Sequence, residues 1–231
     1  SFVQENDLGL VALGAAGNID IHKTTTPLLN WYSYTFWSSP TIDDTVGSAL
    51  STSHPTRRHV FVPANFNDAN ADGSDDNGDD WRYALAGEIM APGLGYAACS
   101  PTSETYPGYQ QNVAFNGKVN NGVITTPISI AAVPETWNII GNPYPSAIDS
   151  HVFVANNTGI VDNTFYLWTH NSDPITSTGP YGYDFTTDDY ATYNTAIATG
   201  TAANSGGSIP SRYIASCQSF LIRGTSAANA T

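Results

Sequence analysis

The chain has 231 residues, of which 41% are hydrophobic and 12% aromatic, so it is long enough to bury a core as one large domain or two smaller lobes. Charged residues make up only 12%, and the formal net charge is -13. Binding to nucleic acid or to an anionic lipid surface depends on clustered Lys and Arg, and the seven present here are scattered, so the composition argues against both partners. No apolar run reaches the roughly 18 residues of a membrane span, so membrane insertion is not expected.

Short β-type runs recur along the chain, separated by Gly, Pro, Asn and Asp. Most of them alternate between apolar and polar residues, and no stretch has the apolar spacing of a helix of about a dozen residues. The predicted strands are 59–66, 81–90, 95–99, 112–119, 122–130, 136–141, 164–170 and 218–224. The predicted class is therefore all-β with little helix. The tract 171–210 is rich in turn formers, which predicts a long loop with one short strand or helical turn near 188–194.

Two pairs of segments share a pattern. YTFWSSP at 34–40 and WNIIGNP at 137–143 each have an aromatic start, an apolar middle and a final Pro, and they lie 103 residues apart. PGLGYAAC at 92–99 and ASCQSFLI at 215–222 each place a small residue before an aromatic residue that opens a strand. These similarities predict two related β-sandwich or jelly-roll-like lobes with long loops.

We expect the lobes to divide near residue 120. The first lobe, residues 1–120, carries an Asp-rich loop at 65–81. The second lobe, residues 121–231, carries the NPYPSAID motif and the long loop tract 171–210.

The loop 65–81, NFNDANADGSDDNGDDW, contains six aspartates and no Lys or Arg. Counted from Asp68, its oxygen-bearing residues follow the order of a twelve-residue calcium loop, with Gly73 at the sharp turn. Bound calcium would remove the repulsion that otherwise holds such a loop open. The predicted ligands are Asp68, Asn70, Asp72, Ser74, Asp76 and Asp79, with Asp80 as a replacement for Asp79.

Strands rather than helices are predicted to flank this loop, so it is not expected to be an EF-hand. Its spacing resembles the Asp-rich calcium loops of dockerin- and thrombospondin-like extracellular proteins. The alternative interpretation is a solvated Asn/Asp/Gly hairpin loop without an ion.

The sequence offers little for catalysis. It has no HExxH, no GxSxG and no Gly-rich phosphate loop, and its five histidines have no recognisable ligand spacing. The adjacent carboxylates Asp188 and Asp189 would face opposite sides of a strand, so they cannot flank one glycosidic bond. We therefore predict that the protein is not an enzyme.

Aromatic residues suggest an alternative function. Pyranose rings stack on exposed aromatic faces, and a group of tyrosines in the polar tract 171–210 is a candidate carbohydrate-binding site. These residues are Tyr181, Tyr183, Tyr190 and Tyr193. The competing interpretation is that the rings anchor the loop to the sheet.

The two cysteines, Cys99 and Cys217, permit one internal disulfide or two buried thiols, and the sequence leaves both alternatives open. No Cys/His cluster predicts a zinc site.

The NPYPSAID region carries a resemblance to a known family. The segments concerned, in chain order, are KTTTPLLNWYSYTFWSSP (23–40), MAPGLGY (90–96), WNIIGNPYPSAID (137–149), FYLWTH (165–170), DDYATYN (188–194) and IASCQSFLI (214–222). Together they resemble a module of secreted surface proteins of Bacteroidetes, especially flavobacteria, and their order and spacing agree over most of the chain. One departure is Cys217, which stands where the resemblance predicts glycine.

The resemblance implies display on the cell surface through type IX secretion, with a spacer, adhesive or assembly role and no catalytic mechanism. Neighbouring domains or subunits of a surface protein or filament would be the partners. DTV at 44–46 resembles the sites at which these bacteria attach O-glycans, which makes Thr45 a candidate for modification.

A final expectation concerns a sheet edge. In the resembling family a further apolar strand follows the strand matching QSFLI, whereas here RGTSAANAT follows it. This predicts an open edge completed by downstream sequence or by a strand from an adjacent subunit. The apolar segment 8–17, LGLVALGAAG, is a candidate either for the donated strand or for an ordinary first strand of its own lobe.

Overall fold

The computed structural model describes residues 18–70, 75–130, 136–175 and 185–231. In these ranges the strands are β1 (Ile19–Thr24), β2 (Tyr34–Trp37), β3 (Arg58–Phe61), β4 (Trp81–Tyr83), β5 (Tyr96–Cys99), β6 (Asn112–Gly117), β7 (Thr126–Ile128), β8 (Trp137–Gly141), β9 (Ile148–Asp149), β10 (Thr164–Trp168), β11 (Tyr190–Asn194), β12 (Thr199–Thr201), β13 (Tyr213–Ile214), β14 (Ser219–Arg223) and β15 (Ala228–Ala230). The helices are α1 (Val46–Ala49) and α2 (Ser150–Asn156), with short 3₁₀ turns at Pro63–Asn65 and Thr187–Asp189.

The strands form antiparallel sheets, which confirms the predicted all-β class. One sheet has four strands in the order β2-β5-β3-β4, and another has five in the order β12-β11-β10-β14-β8. Three two-stranded sheets pair β1 with β6, β15 with β7, and β13 with β9. Each of these sheets draws its strands either from 19–117, the first lobe, or from 126–230, the second lobe.

Both lobes have the same topology, which confirms that they are related. In the first lobe the successive strands β2, β3, β4 and β5 give the spatial order β2-β5-β3-β4. In the second, β8, β10, β11 and β14 give the equivalent order β8-β14-β10-β11. A helix follows the first strand of each set, and the outer pairs β1–β6 and β7–β15 also correspond. Strands β9, β12 and β13 are additions to the second lobe.

Backbone bridges between the lobes obey the same relation. Trp37 at the end of β2 bridges Gln218 before β14, and Ile140 near the end of β8 bridges Leu94 before β5. Trp37 corresponds to Ile140 and Gln218 corresponds to Leu94, so each bridge becomes the other when the two lobes are interchanged. The lobes are therefore joined about an approximate twofold axis.

Hydrogen bonds next to these bridges repeat in the same way. The Ser38 amide donates to the Cys217 carbonyl at 2.9 Å, and the Gly141 amide donates to the Gly93 carbonyl at 3.0 Å. The two acceptor residues share a left-handed backbone, with φ of 65° at Cys217 and 79° at Gly93. That conformation favours glycine, which explains why a glycine is expected at residue 217.

Three apolar clusters hold the layers together. In the first lobe, one face of the four-stranded sheet packs against α1 and β6 through residues that include Trp37, Val46, Leu50, Val60, Met90, Tyr96, Val113 and Phe115. In the second lobe, Ile140, Phe165, Leu167, Phe220 and Ile222 pack with Ile128, Ala230 and α2. Between the lobes, the opposite faces of both sheets meet in a cluster of Phe36, Phe61, Phe66, Trp81, Trp137, Ile139 and Leu221.

Two sequence-based expectations need correction. The tract 171–210 is not a loop with a single short strand, because β11 and β12 lie within it and extend the five-stranded sheet. The pairing of β11 with β10 is a long-range contact that turn composition does not reveal. The predicted strand 81–90 ends at Tyr83, because the chain turns where the Glu88 amide donates to the Leu85 carbonyl at 2.9 Å.

The open edge was expected beside the QSFLI strand, which is β14. This strand has β10 on one side and β8 on the other, so both of its edges are filled within the chain. Residues 228–230 form β15 and pair with β7 instead. The segment 8–17 lies outside the described residues.

Within the described residues, no helix combines the length and apolar character needed to cross a bilayer.

Candidate functional site

The Asp-rich loop connects β3 to β4 in the first lobe. At its base Phe61 pairs with Trp81, and the Val62 amide donates to the Asp80 carbonyl at 2.6 Å. Two of the predicted ligands, Asp72 and Ser74, lie outside the described residues.

Two neighbouring carboxylates tie the arms of the loop together. Asp75 accepts hydrogen bonds from the backbone amide of Asn67 at 2.7 Å and from that of Gly78. Asp76 accepts from the Asn70 amide at 3.3 Å and from the Asn70 side chain at 3.0 Å. The structure thus brings together the predicted ligands Asn70 and Asp76.

The loop also buries negative charge. Asp68, Asp75 and Asp80 are only 5%, 8% and 7% exposed. Burial is the larger of two causes that raise the pKa of Asp80 to about 7, and the nearby charge of Asp75 is the second. The first cation after the loop, Arg82, is bound by both carboxylate oxygens of Glu88 at 2.9 and 2.6 Å.

Asp75 is the residue that sequence reasoning missed. It occupies the eighth place when the loop is counted as a calcium loop, and that position supplies no ligand in the standard order. Its burial and its place near Asp80 follow from how the loop folds back. The described residues contain no group of three or more His, Cys, Asp or Glu side chains placed to hold a metal ion.

Of the four candidate tyrosines, Tyr181 and Tyr183 lie outside the described residues. Tyr190 and Tyr193 lie three residues apart on β11, so their side chains point to opposite faces of the sheet. Tyr193 is 6% exposed, and its hydroxyl lies 2.9 Å from the His151 ring. The Tyr190 ring packs edge-on against Trp168 at 5.1 Å. These contacts anchor β11 and do not create a shared aromatic platform.

Both cysteines are buried and have free thiols. Of the two alternatives that the sequence left open, the structure therefore has two buried thiols and not an internal disulfide. The Cys99 thiol donates to the Tyr32 carbonyl at 3.6 Å. Burial raises the pKa of Cys99 to about 12 and that of Cys217 to about 11, which keeps both groups protonated at neutral pH.

The remaining sequence candidates have local structural partners. The Thr45 hydroxyl accepts the Ser48 amide at 3.2 Å and caps α1. Asp149, at the end of the NPYPSAID motif, accepts the His151 amide at 3.0 Å and caps α2. The Arg212 guanidinium pairs with the same Asp149 carboxylate.

No curated protein matches the chain, and neither does any solved structure. A family model described as a domain of unknown function, DUF8693, matches residues 1–231. The chain therefore belongs to the DUF8693 family.

Proposed function

We propose that this chain is a non-enzymatic, calcium-stabilised module displayed outside the cell, with a structural or adhesive role in a bacterial surface protein or extracellular assembly. The observation that carries the proposal is the burial of three aspartates in a loop that contains no basic residue. Burying a carboxylate is costly, because the charged form loses its hydration.

Calcium would offset that cost at this loop. It prefers carboxylate and carbonyl oxygens, and the loop supplies both within a short span. Asp68, Asn70, Asp76, Asp79 and Asp80 would be the ligands among the described residues. The ion's charge would lower the pKa of Asp80 and favour its ionised form.

The proposed location and role are supported by the resemblance to secreted Bacteroidetes modules and by the acidic composition. Two of the five histidines, His151 and His170, have structural partners. His151 contacts the Tyr193 hydroxyl, and the Nδ1 of His170 lies 3.2 Å from the Tyr34 carbonyl. Burial lowers the pKa of His170, so this ring is neutral at physiological pH. These contacts favour a structural module over an enzyme.

Thermal unfolding with calcium and with excess EDTA tests the proposal. Extracellular calcium modules bind with dissociation constants of about 10⁻⁴ to 10⁻³ M, so millimolar calcium should raise the Tm. At a free calcium concentration about 100 times the dissociation constant, the stabilisation should be about 2.7 kcal/mol. Titration calorimetry supplies that constant.

Asp68→Asn and Asp76→Asn should each remove most of the calcium-dependent rise in Tm. Asp43→Asn makes the same change at an exposed aspartate of the first lobe outside the loop, and it should keep the full rise. Identical melting curves in calcium and EDTA for the unaltered chain would sink the calcium proposal.

A further inference from the structure

The second lobe covers only part of the first-lobe sheet face that it contacts. The inter-lobe cluster includes Phe36, Phe61 and Trp81 on that face. Side chains two residues apart on a strand share a face, so Tyr83 of β4 lies on the same face as Trp81. Its neighbour in the register of β3 and β4 is His59. Tyr83 is nevertheless 62% exposed, so it lies beyond the contact between the lobes.

The Tyr83 ring is held from one side. Its centroid lies 4.9 Å from that of the His59 ring, and the two ring planes meet at 35°. The His59 ring in turn lies edge-on against Tyr34, whose hydroxyl is 3.4 Å from the imidazole Nε2. Because Tyr83 keeps most of its exposure despite this contact, its other face is open to solvent. A ring that is already held in place loses little conformational entropy when a ligand stacks on it.

Comparison of the two lobes explains why this ring is exposed. The pair His59 and Tyr83 corresponds to Tyr166 and Thr192 in the second lobe. There Thr192 pairs onward with Thr201 of β12. Among the described residues, the first-lobe sheet ends at β4 and has no counterpart of β12. The first lobe therefore combines an aromatic ring with an open sheet edge, and the second lobe has neither at the equivalent place.

A cation lies beside this ring. The ladder between β3 and β5 continues to Arg57, whose carbonyl accepts the Cys99 amide at 3.0 Å, so Arg57 and His59 share a face. Burial, and after it the charge of Arg57, lowers the pKa of His59 to about 4, so the imidazole is neutral at physiological pH. Arg57 is exposed. The salt bridges found among the described residues join other arginines to Glu88 and Asp149, so neither neutralises Arg57.

We infer that Tyr83, His59 and Arg57 form a binding site for a terminal uronic acid of a glycan, with the pyranose ring stacked on the open face of Tyr83 and its carboxylate paired with the Arg57 guanidinium. Exposed aromatic faces suit the apolar face of a pyranose. The planar guanidinium fork matches a carboxylate through two parallel hydrogen bonds. The inference rests on the proposed adhesive role and names the class of its ligand.

The charge of the chain favours one acidic sugar over a polyanion. A nucleic acid carries a charge at every nucleotide, and the net charge of -13 opposes its approach. A terminal uronic acid carries a single charge, which one guanidinium neutralises. The carboxylate of Glu88, five residues after Tyr83, is already paired with both terminal nitrogens of Arg82, so it contributes little repulsion.

Titration of the whole chain by proton–nitrogen NMR tests the site with small probes. Methyl glucuronide and methyl galacturonide supply the ring and the carboxylate, the matching methyl glucoside and galactoside lack the carboxylate, and acetate lacks the ring. At least one uronide should bind saturably and shift the amide signals of residues 57–59 and 81–83. Its neutral counterpart and acetate should each bind at least about tenfold more weakly, because each lacks one of the two contacts.

Matched variants test the protein side. Tyr83→Ala should weaken uronide binding by at least about tenfold, whereas Tyr83→Phe should keep it because the ring remains. Arg57→Gln should remove the preference for the uronide over the neutral sugar. Tyr213→Ala is the control, because Tyr213 is a 57% exposed tyrosine of the second lobe, and the arginine over its ring, Arg212, is paired with Asp149. It should leave binding unchanged.

The titrations are run in EDTA and in calcium, with far-ultraviolet circular dichroism to confirm that each protein is folded. None of the three site residues is a proposed calcium ligand, so the affinity should be the same in both. Absence of uronide binding together with a normal calcium-dependent rise in Tm would remove this inference and leave the calcium proposal intact.

Four results would overturn the inference. They are no saturable binding of either uronide up to about 10 mM, equal affinity for the neutral sugar or for acetate, unchanged affinity of folded Tyr83→Ala, and binding only in calcium. The last result would mean that an ion bridges the sugar to the Asp-rich loop.

Discussion

Asp80 lies in surroundings that favour its neutral carboxyl group. It is 7% exposed, and its burial and the charge of Asp75 raise its pKa to about 7. An aspartate in an unfolded chain has a pKa near 3.9. Between about pH 4 and pH 7 the folded chain therefore binds a proton at this site that the unfolded chain does not.

This difference fixes the sign of a pH effect. In the absence of calcium, the contribution of Asp80 to stability should fall as the pH rises from about 4 to about 7, by up to about 4 kcal/mol. Asp80→Asn removes the titrating group, so the variant should gain stability relative to the unaltered chain as the pH rises. Urea unfolding in EDTA at pH 5 and pH 7.5 measures both proteins.

The informative quantity is the stability difference between Asp80→Asn and the unaltered chain at the two pH values. A difference that is the same at pH 5 and pH 7.5 would contradict the raised pKa. Calcium should reduce the pH dependence of the unaltered chain, because the ion favours the charged carboxylate.

At the scale of secondary-structure elements, buried side-chain amides join segments that strand pairing leaves apart. Asn142, which follows β8, is fully buried. Its amide nitrogen donates to the carbonyls of Ser146, Ile214 and Ala215 at 2.7, 3.2 and 3.1 Å, and its oxygen accepts the Tyr144 amide at 2.9 Å. The NPYP turn is thereby fixed to the end of β13 and to the residue that follows it.

Asn138 has a comparable role on β8. Its side chain accepts the Ser129 amide at 2.9 Å and donates to the Ser129 carbonyl at 3.0 Å, as a neighbouring strand would. Asn157, which follows α2, pairs in the same two-way manner with the backbone of Thr231. These asparagines therefore bind backbone groups of distant segments, a role different from that of asparagines in surface turns.

Asn142→Ala should destabilise the protein by about 3 kcal/mol, because it leaves several buried backbone groups without partners. Asn229→Ala is the matched control, because Asn229 is exposed on β15, and it should change stability by no more than about 0.5 kcal/mol. Urea unfolding with circular dichroism measures both. A loss at Asn142 no larger than that at Asn229 would show that these hydrogen bonds are dispensable.

At the scale of the whole molecule, the two lobes share an apolar interface. Phe36 of the first lobe stacks on Trp168 of the second with ring centroids 6.0 Å apart and an angle of 15°. Phe61 and Ile139 are buried in the same inter-lobe cluster. Because each lobe covers apolar surface of the other, separating them exposes part of both sheets.

The chain should therefore unfold in a single cooperative transition. Tryptophan fluorescence and far-ultraviolet circular dichroism should give the same Tm, because tryptophans lie at the inter-lobe interface while the dichroism reports all strands. Phe36→Ala should lower stability by roughly 2 to 3 kcal/mol through loss of interface packing. Two resolved transitions in the unaltered chain would mean that the interface does not couple the lobes.

The sequence by itself determined the all-β class, the approximate positions of eight strands, each of which overlaps an observed strand, and the relation between the two lobes. Alternating apolar residues specify a half-buried strand from local sequence alone. The relation between the lobes could be predicted because similar motifs occur in both halves of the chain. It also identified the acidic loop as the most unusual feature, because charge and Gly spacing are visible without coordinates. The cap at Asp149 follows from the same kind of local chemistry.

Only the tertiary structure decided which strands pair and which carboxylates are buried. Strands β11 and β12 in the turn-rich tract, the place of Asp75 near Asp80 and the separate burial of two thiols all depend on contacts between residues far apart in sequence. Local patterns set the conformation of a segment, but burial and pairing are properties of the neighbours that the whole fold brings to it.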